Sequence, residues 1–255
     1  MIWDQLTSPE IDALNRNIPV ILPVAAIEQH GSHLPLSTDR MIGEYFCHQL
    51  HEDIPDKVLI LPMISVGCSE HHMDFCGSLT LQHDTFLRQA EDILHSVASH
   101  GFKNLIIFNS HGGNLGIGQV IVEHFGKRHP ECKVVLVTWW KIAGEALFEL
   151  NETGAGGVGH AGEFETSLMM KIAPELVHHD KIMEKQTRQS FDWATGDLLR
   201  GSKASLYQSF RTMTPNGVFG DPRMVSAEKG QKITDIVIKA LKKIVLDLYH
   251  SSQIH

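Results

Sequence analysis

The stretch Glu28-Gln29-His30-Gly31-Ser32-His33-Leu34-Pro35-Leu36-Ser37-Thr38-Asp39 gathers hard, metal-seeking groups into a segment with little apolar content. Two later segments share its character: Asn109-Ser110-His111-Gly112-Gly113-Asn114 and His160-Ala161-Gly162-Glu163-Phe164-Glu165-Thr166-Ser167. Between them, Glu28, His30, Asp39, His111 and Glu163 offer three carboxylates and two imidazoles. That mixture suits divalent zinc, manganese or iron and is too rich in nitrogen for calcium or magnesium. Five donors suffice for two cations if one carboxylate bridges. A water held by both cations ionises near neutral pH while a cation polarises the carbonyl under attack, so hydrolysis of an amide-like bond is the natural outcome. His160, beside the cluster and not needed to complete it, could protonate the departing nitrogen.

Each residue taken alone has a structural alternative. Glu28 could pair with Arg40, and Asp39 could be a helix cap. Jointly the pattern favours chemistry, because clustered carboxylates with few basic neighbours repel one another unless a cation joins them. Ser69, His72, Gly112, Gly113 and Trp140 are the candidate substrate contacts; His33, His71 and His72 are the weaker histidines of the site. Trp139 and Trp140 otherwise read as packing, with one ring of the pair able to face a pocket. Glu165 reads as a cap or pair within its own helix. GxSxG is absent, so serine nucleophile chemistry has little support, and the absence of GxxxxGK[ST] argues against a nucleotide-cradling loop of that type.

These groups need a scaffold that brings distant segments together. Ile18 to Ile27 is an apolar, β-branched run carrying Pro19 and Pro23, read as a buried strand that delivers Glu28 at its end. Helical spacing of Met41, Ile42, Tyr45, Phe46 and Leu50 predicts a helix from Thr38 or Asp39 to about His51. Lys57 to Met63 reads as a second strand, followed by the polar loop Ser65 to Gly77. Thr85 to His100 is an amphipathic helix stopped by Gly101 in the left-handed position. Asn104 to Phe108 is a third strand, Leu115 to Arg128 a helix with Asn114 as its cap, and Lys133 to Thr138 a fourth strand. His160 and Glu163, three apart, would share a face if the next helix began early enough. Pro174 to Ser226 is punctuated by Gly, Pro and Asn and reads as loops or short strands, and Ala227 to about Tyr249 as a closing amphipathic helix. Alternating strands and helices predict an α/β fold with a mostly parallel sheet, whose polar loops meet at the strands' carboxyl ends.

The 255 residues, 42% of them hydrophobic, can bury one substantial core, so a single domain is expected. The longest apolar run, ten residues with two prolines, is far short of the ~20 that cross a bilayer. No charged-then-apolar leader opens the chain. Cys47, Cys68, Cys76 and Cys132 form no CxxC pair, consistent with reduced thiols in a cytoplasmic protein. A net charge of −8 without a Lys/Arg cluster argues against a nucleic-acid partner.

The motifs resemble those of the creatinine amidohydrolase (creatininase) family. The form E-Q-H-G-x-H-L-P-L-x-T-D is matched by Glu28 to Asp39, N-x-H-G-G-N by Asn109 to Asn114, and H-A-G-x-x-E-T-S by His160 to Ser167. Gly217-Val218-Phe219-Gly220-Asp221-Pro222, continuing to Ser226-Ala227-Glu228-Lys229-Gly230, is similar to the family's carboxyl-terminal pattern. The resemblance implies a three-layer α/β/α fold, a two-metal centre and hydrolysis of a non-peptide carbon–nitrogen bond in a small amide. Carried over by position, Glu28 and His111 would hold one metal, His30 and Glu163 the other, with Asp39 bridging and His160 as the catalytic histidine. It also implies a homo-oligomer, often a hexamer. Creatininase itself has a tyrosine and a metal-binding glutamate after the histidine of the second motif, where this chain has Gly112 and Gly113. It also has Trp-Asp before the catalytic histidine, against Gly156-Gly157 here. The departures remove an aromatic wall and an acceptor for the creatinine ring, and point toward a cyclic amide or formamide substrate of another kind. Peptide maturation and a silent metal-binding assembly role are the alternatives.

Overall fold

The computed structural model describes residues 1–183, 191 and 193–251. Part of the stretch read as loops between Pro174 and Ser226 lies outside the described residues. Four parallel strands form one sheet in the order β2-β1-β3-β4. They are β1 (Val20–Val24), β2 (Leu59–Ile60), β3 (Asn104–Asn109) and β4 (Lys133–Thr138). The first two are shorter than their apolar runs. Pro23 cannot donate to a ladder, and β2 has ended before it: the carbonyl of Pro23 accepts from Ile64, outside β2.

Alternation along the strands divides the core into two layers. Ile21, Ile106 and Phe108 face one side, where they meet helices α1 (Thr38–Asp53), α4 (Glu163–Ile172) and α5 (Ala227–Ser251) through Phe46, Leu50, Leu168, Val237 and Leu241. Val20, Leu22, Leu105 and Ile107 face the other side, where α2 (His83–Ser99) and α3 (Leu115–Arg128) bring Phe86, Leu94, Ile121 and Phe125. Helices on both faces of a parallel sheet make the three-layer α/β/α arrangement. Among the described residues no helix is long and apolar enough to cross a membrane.

The register aligns the ends that carry the polar loops: Val24 pairs with Asn109, and Asn109 with Thr138. Gly101 closes α2 with φ +90°, as its sequence position predicts. Asn114 departs from expectation. Its side chain makes no cap for α3; it accepts from the Cys68 backbone N–H at 3.0 Å and donates to the Ala25 carbonyl at 3.0 Å. It thereby ties together the loops after β1, β2 and β3.

Candidate metal centre

Glu28 follows β1 by four residues, and its N–H donates to the Leu36 carbonyl, closing the loop that carries His30. Gly31 permits that closure: its φ is +67°, and a Cβ there would lie 2.5 Å from Val218. Asp39 stands in the first turn of α1, where the helix end favours a negative charge. Ser110 donates to the Asp39 carbonyl at 2.8 Å, so the end of β3 holds the start of α1. His111 is fixed by Asn109, whose side chain donates to the His111 carbonyl and accepts from its N–H.

These segments place Glu28, His30, Asp39 and His111 in one buried cluster, each 3% exposed or less. Asp39 faces both histidines, with Oδ1 3.3 Å from His30 Nε2 and Oδ2 3.0 Å from His111 Nδ1. Glu28 Oε1 lies 3.4 Å from His111 Nδ1, 3.3 Å from His72 Nε2 and 3.5 Å from His160 Nδ1. Remote nitrogens fix the ring orientations. His30 Nδ1 donates to the Glu28 carbonyl at 3.1 Å, leaving Nε2 inward. His111 Nε2 donates to the Cys68 carbonyl at 3.2 Å, leaving Nδ1 inward. This is the outer bonding that metal-ligating imidazoles use.

Glu163 is the correction. Its carboxylate points away from the cluster, accepting from the backbone N–H groups of Glu152 and Thr153 at 3.0 Å each, from the Thr153 hydroxyl, and from Lys229 Nζ at 2.5 Å. The carboxylate on the cluster belongs to Glu165, whose Oε2 is 3.8 Å from His30 Nε2 and accepts from the Ala161 N–H at 2.6 Å. The helix starts at Glu163, so His160 is not on it, and the three-residue spacing does not bring them to one face. Ala161, with φ 54°, turns the chain between them. The signal lay in the motif H-A-G-x-x-E, whose glutamate falls at 165.

His160 and His72 both line a cavity of about 220 Å³ with Glu28, Asp39, His111 and Glu165. Trp140, Gly112 and His71 also line it. Leu198, Leu206, Phe210, Met213 and Phe219 supply an apolar side. Phe210 stacks on His72 with ring centres 3.9 Å apart. Two expected contacts fall behind the wall. Ser69 Oγ sits 3.3 Å from His111 Nε2, so it orients that ring. Gly113 packs where a Cβ would lie 2.1 Å from the Cys68 carbonyl. His33 pairs with Thr166 at 3.0 Å, away from the cavity. Arg40 pairs with Glu44 and not with Glu28.

The electrostatics fit a cation site. Burial pushes the Glu28 carboxyl up to about 7, with Asp39 adding to the shift and His111 opposing it. Burial likewise raises Glu165 to about 7. For His30, burial disfavours the charged ring, but Asp39, Glu165 and Glu28 outweigh it and raise it to about 10. For His111, Glu28 and Asp39 overcome burial and raise it to about 9. Burial, with His30 adding to it, keeps His160 neutral well below its ordinary value. Among the described residues, Glu28 Oε2, His30 Nε2 and Asp39 Oδ2 are buried without a hydrogen bond of good geometry. Orphaned buried groups of this kind are costly, and inward lone pairs of two imidazoles among carboxylates are the donor set of a transition-metal site. Glu28, His30 and Asp39 offer atoms within 4.8 Å of one another, as do His30, His160 and Glu165.

The family model for creatinine amidohydrolase matches residues 4–245. The chain belongs to the creatinine amidohydrolase (creatininase) family. It is 26% identical over 238 residues to creatinine amidohydrolase of Pseudomonas putida, covering 87% of this chain and 86% of that one. It is 27% identical over 221 residues to a mycofactocin precursor peptide peptidase of Mycobacterium ulcerans, covering 84% and 79%. The solved manganese form of creatininase aligns with a TM-score of 0.80 and 23% identity over 96% of this chain and 97% of that one. The creatininase fold follows, and with it the assignment to a hydrolase family acting on carbon–nitrogen bonds.

Proposed function

We propose that the protein is a binuclear metal-dependent amidohydrolase acting on a small cyclic amide or formamide. The observation that carries this reading is Asp39, whose two buried oxygens approach different imidazoles, at 3.3 and 3.0 Å. Glu28 and His111 would hold one ion, His30 and Glu165 the other, and Asp39 would serve both. Zinc and manganese suit these donors best, and ferrous iron is accepted by the same set. Such ions would supply an activated water and polarise the scissile carbonyl.

The side chains then have separable tasks. His160 keeps a proton on Nε2, directed at the Gln29 carbonyl 2.7 Å away, and turns Nδ1 toward Glu28 and the cavity. With its proton held on Nε2, the ring turns an unprotonated Nδ1 to the cavity, which can accept a proton and return it to the leaving nitrogen. His72 orients Glu28 through Nε2. Phe210, Phe219, Met213 and Trp140 exclude water from the reacting bond. A cavity of about 220 Å³ suits a compact molecule, which favours a small amide over an extended peptide.

Metal analysis of the purified protein, followed by a screen of cyclic amides and formamides with the metals found, tests this. About two ions per chain are expected, and His160→Ala should slow turnover by roughly 10²- to 10⁴-fold. Bound metal with no amide cleavage across the panel would refute the enzymatic reading. A homo-oligomer and a cytoplasmic setting complete the proposal.

A further inference from the structure

Between the two ligands Glu28 and His30 stands Gln29, whose amide oxygen and nitrogen both have partners. Its Oε1 accepts from the Gly31 N–H at 3.0 Å. Its Nε2 lies 2.9 Å from His72 Nδ1 and 3.1 Å from the Gly217 carbonyl, one partner for each of its two protons. The chain carbonyl of the same residue lies 2.7 Å from His160 Nε2.

A carbonyl only accepts, so His160 Nε2 carries a proton and Nδ1 is the lone pair. An amide NH₂ only donates, so His72 Nδ1 is the lone pair and Nε2 carries the proton, which then points at Glu28 Oε1. Both rings are thus held as the Nε2–H tautomer by one residue, but His160 turns its lone pair inward and His72 its proton. The third close approach, Gln29 Nε2 to His160 Nε2 at 3.1 Å, follows from their shared location and needs no bond of its own.

We propose that Gln29 is a positioning residue that fixes the ring tautomers of both histidines, so that His160 turns a lone pair to the cavity and His72 a proton. The segment after Phe210 takes part. Gly217 has φ +80°, and a Cβ there would lie 1.9 Å from Gln29 Oε1. Phe219 and Gly220 donate to the His160 carbonyl at 3.0 and 2.9 Å. One strip of chain therefore holds Gln29 by its amide and His160 by its backbone. Gly217 is needed so that the amide can lie flat against it. Side-chain variants at Gln29 leave the backbone carbonyl, and with it the His160 tautomer, in place, so their kinetic consequence runs through the His72 proton on Glu28 and rests on the proposed function; the tautomers themselves do not.

The test uses zinc-replete protein labelled with ¹⁵N-histidine, because ring-nitrogen shifts separate protonated from unprotonated positions. Assignments come from single histidine substitutions. In the native protein His160 should show a protonated Nε2 and a bare Nδ1, and His72 the same pattern. Gln29→Glu replaces the donor with an acceptor and should move the His72 proton to Nδ1. Gln29→Met, of similar shape, should leave His72 with mixed tautomers. Both variants should keep the native zinc content, with kcat down roughly 10²-fold and KM within about threefold. Gly217→Ala should reproduce the defect, and Gln29→Met combined with it should fall short of additivity. The opposite tautomer on either ring of the native protein overturns the assignment whether or not any variant folds. So does Gln29→Glu with unchanged His72 shifts, or with inverted shifts and undiminished kcat. Should no amide prove to be a substrate, the native shifts and the shifts of Gln29→Glu still decide the tautomer assignment.

Discussion

Glu163 and Glu165 are two residues apart, and exchanging each for glutamine should have opposite consequences. Glu163 is fully buried and collects four donors: two backbone N–H groups, the Thr153 hydroxyl and Lys229 Nζ. In Glu163→Gln one oxygen becomes an NH₂ that must face either the ammonium or the N–H and hydroxyl of Thr153, donors in every case. Breaking a buried ion pair by removing one partner costs about 3–5 kcal/mol. Lys229 keeps Glu152 and the Met224 carbonyl, each at 2.6 Å, which places the loss near about 3 kcal/mol on that scale. At about 2–4 °C per kcal/mol for a chain of this size, Tm should fall by roughly 10 °C. Metal content should stay native.

Glu165→Gln reverses both readings. Its amide oxygen can still accept from the Ala161 N–H, so the local turn survives. What disappears is a carboxylate that burial and Asp39 make unfavourable in the metal-free protein. Chelator-treated Glu165→Gln should therefore melt no lower than the chelator-treated native protein. Its metal content should fall from about two ions to about one, and turnover by roughly 10³-fold, the several kcal/mol that a catalytic ion contributes. Differential scanning calorimetry with and without chelator, beside elemental analysis of both variants, separates the roles. If Glu163→Gln loses metal without losing stability, or Glu165→Gln keeps both ions, the placement of these side chains is wrong.

Asp39→Asn removes the carboxylate that faces both imidazoles and should leave at most one ion per chain with turnover down roughly 10³-fold; a variant holding two ions at full activity would dissolve the bridging assignment. In metal-free protein, His30 and His111 are raised to about 10 and about 9, so the stability they contribute is present below their ordinary value and lost as pH rises through 9–10. Glu28 and Glu165, raised to about 7, lose theirs as pH climbs from the ordinary carboxyl range through 7. Asp39 is lowered and acts oppositely, its share lost only in strong acid. Chelator-treated protein should thus melt lower at pH 9 than at pH 6, while metal affinity, which requires these protons to leave, rises over the same range. Calorimetric titration in buffers of different ionisation enthalpy would count the released protons. Finally, Ala161 holds a left-handed φ of 54° that costs a residue with a Cβ roughly 1 kcal/mol, so Ala161→Gly should melt no lower than native despite the looser unfolded chain, and a clear drop would argue against the turn.

Much of the scaffold was legible because it is periodic. The α3 and β4 boundaries coincide with the apolar patterns from Leu115 to Arg128 and from Lys133 to Thr138. The first motif likewise marked Glu28, His30 and Asp39 as neighbours, since strand, loop and helix follow one another directly. What failed depended on backbone detail. Placing His160 and Glu163 on one face presumed a helix through Ala161, where the chain instead turns left-handed, and that one turn changes which glutamate reaches the cluster. The apolar wall from Leu198 to Phe219 escaped for a different reason: its residues belong to irregular chain or to the single helical turn Phe210–Met213, too short for a period to report which side chains point inward.

Ring orientation lay further still from the sequence. His30 turns Nε2 to the centre because the carbonyl that takes its other proton is two residues back, a relation the spacing of E-Q-H could suggest. His111 turns Nδ1 inward because its Nε2 meets the carbonyl of Cys68, in a loop after a different strand. That loop is held by Asn114, which bonds Cys68 on one side and Ala25 on the other. A change at Asn114 should therefore disturb the metal site through His111 alone, leaving His30 in place. Asn114→Leu, which removes both bonds, should weaken one ion by about 10- to 100-fold and leave the other near native, the range that loss of an outer partner costs a metal ligand. Equal weakening of both ions in a two-site titration would show that the three loops move as one body and that the carbonyl of Cys68 has no separate hold on the ring.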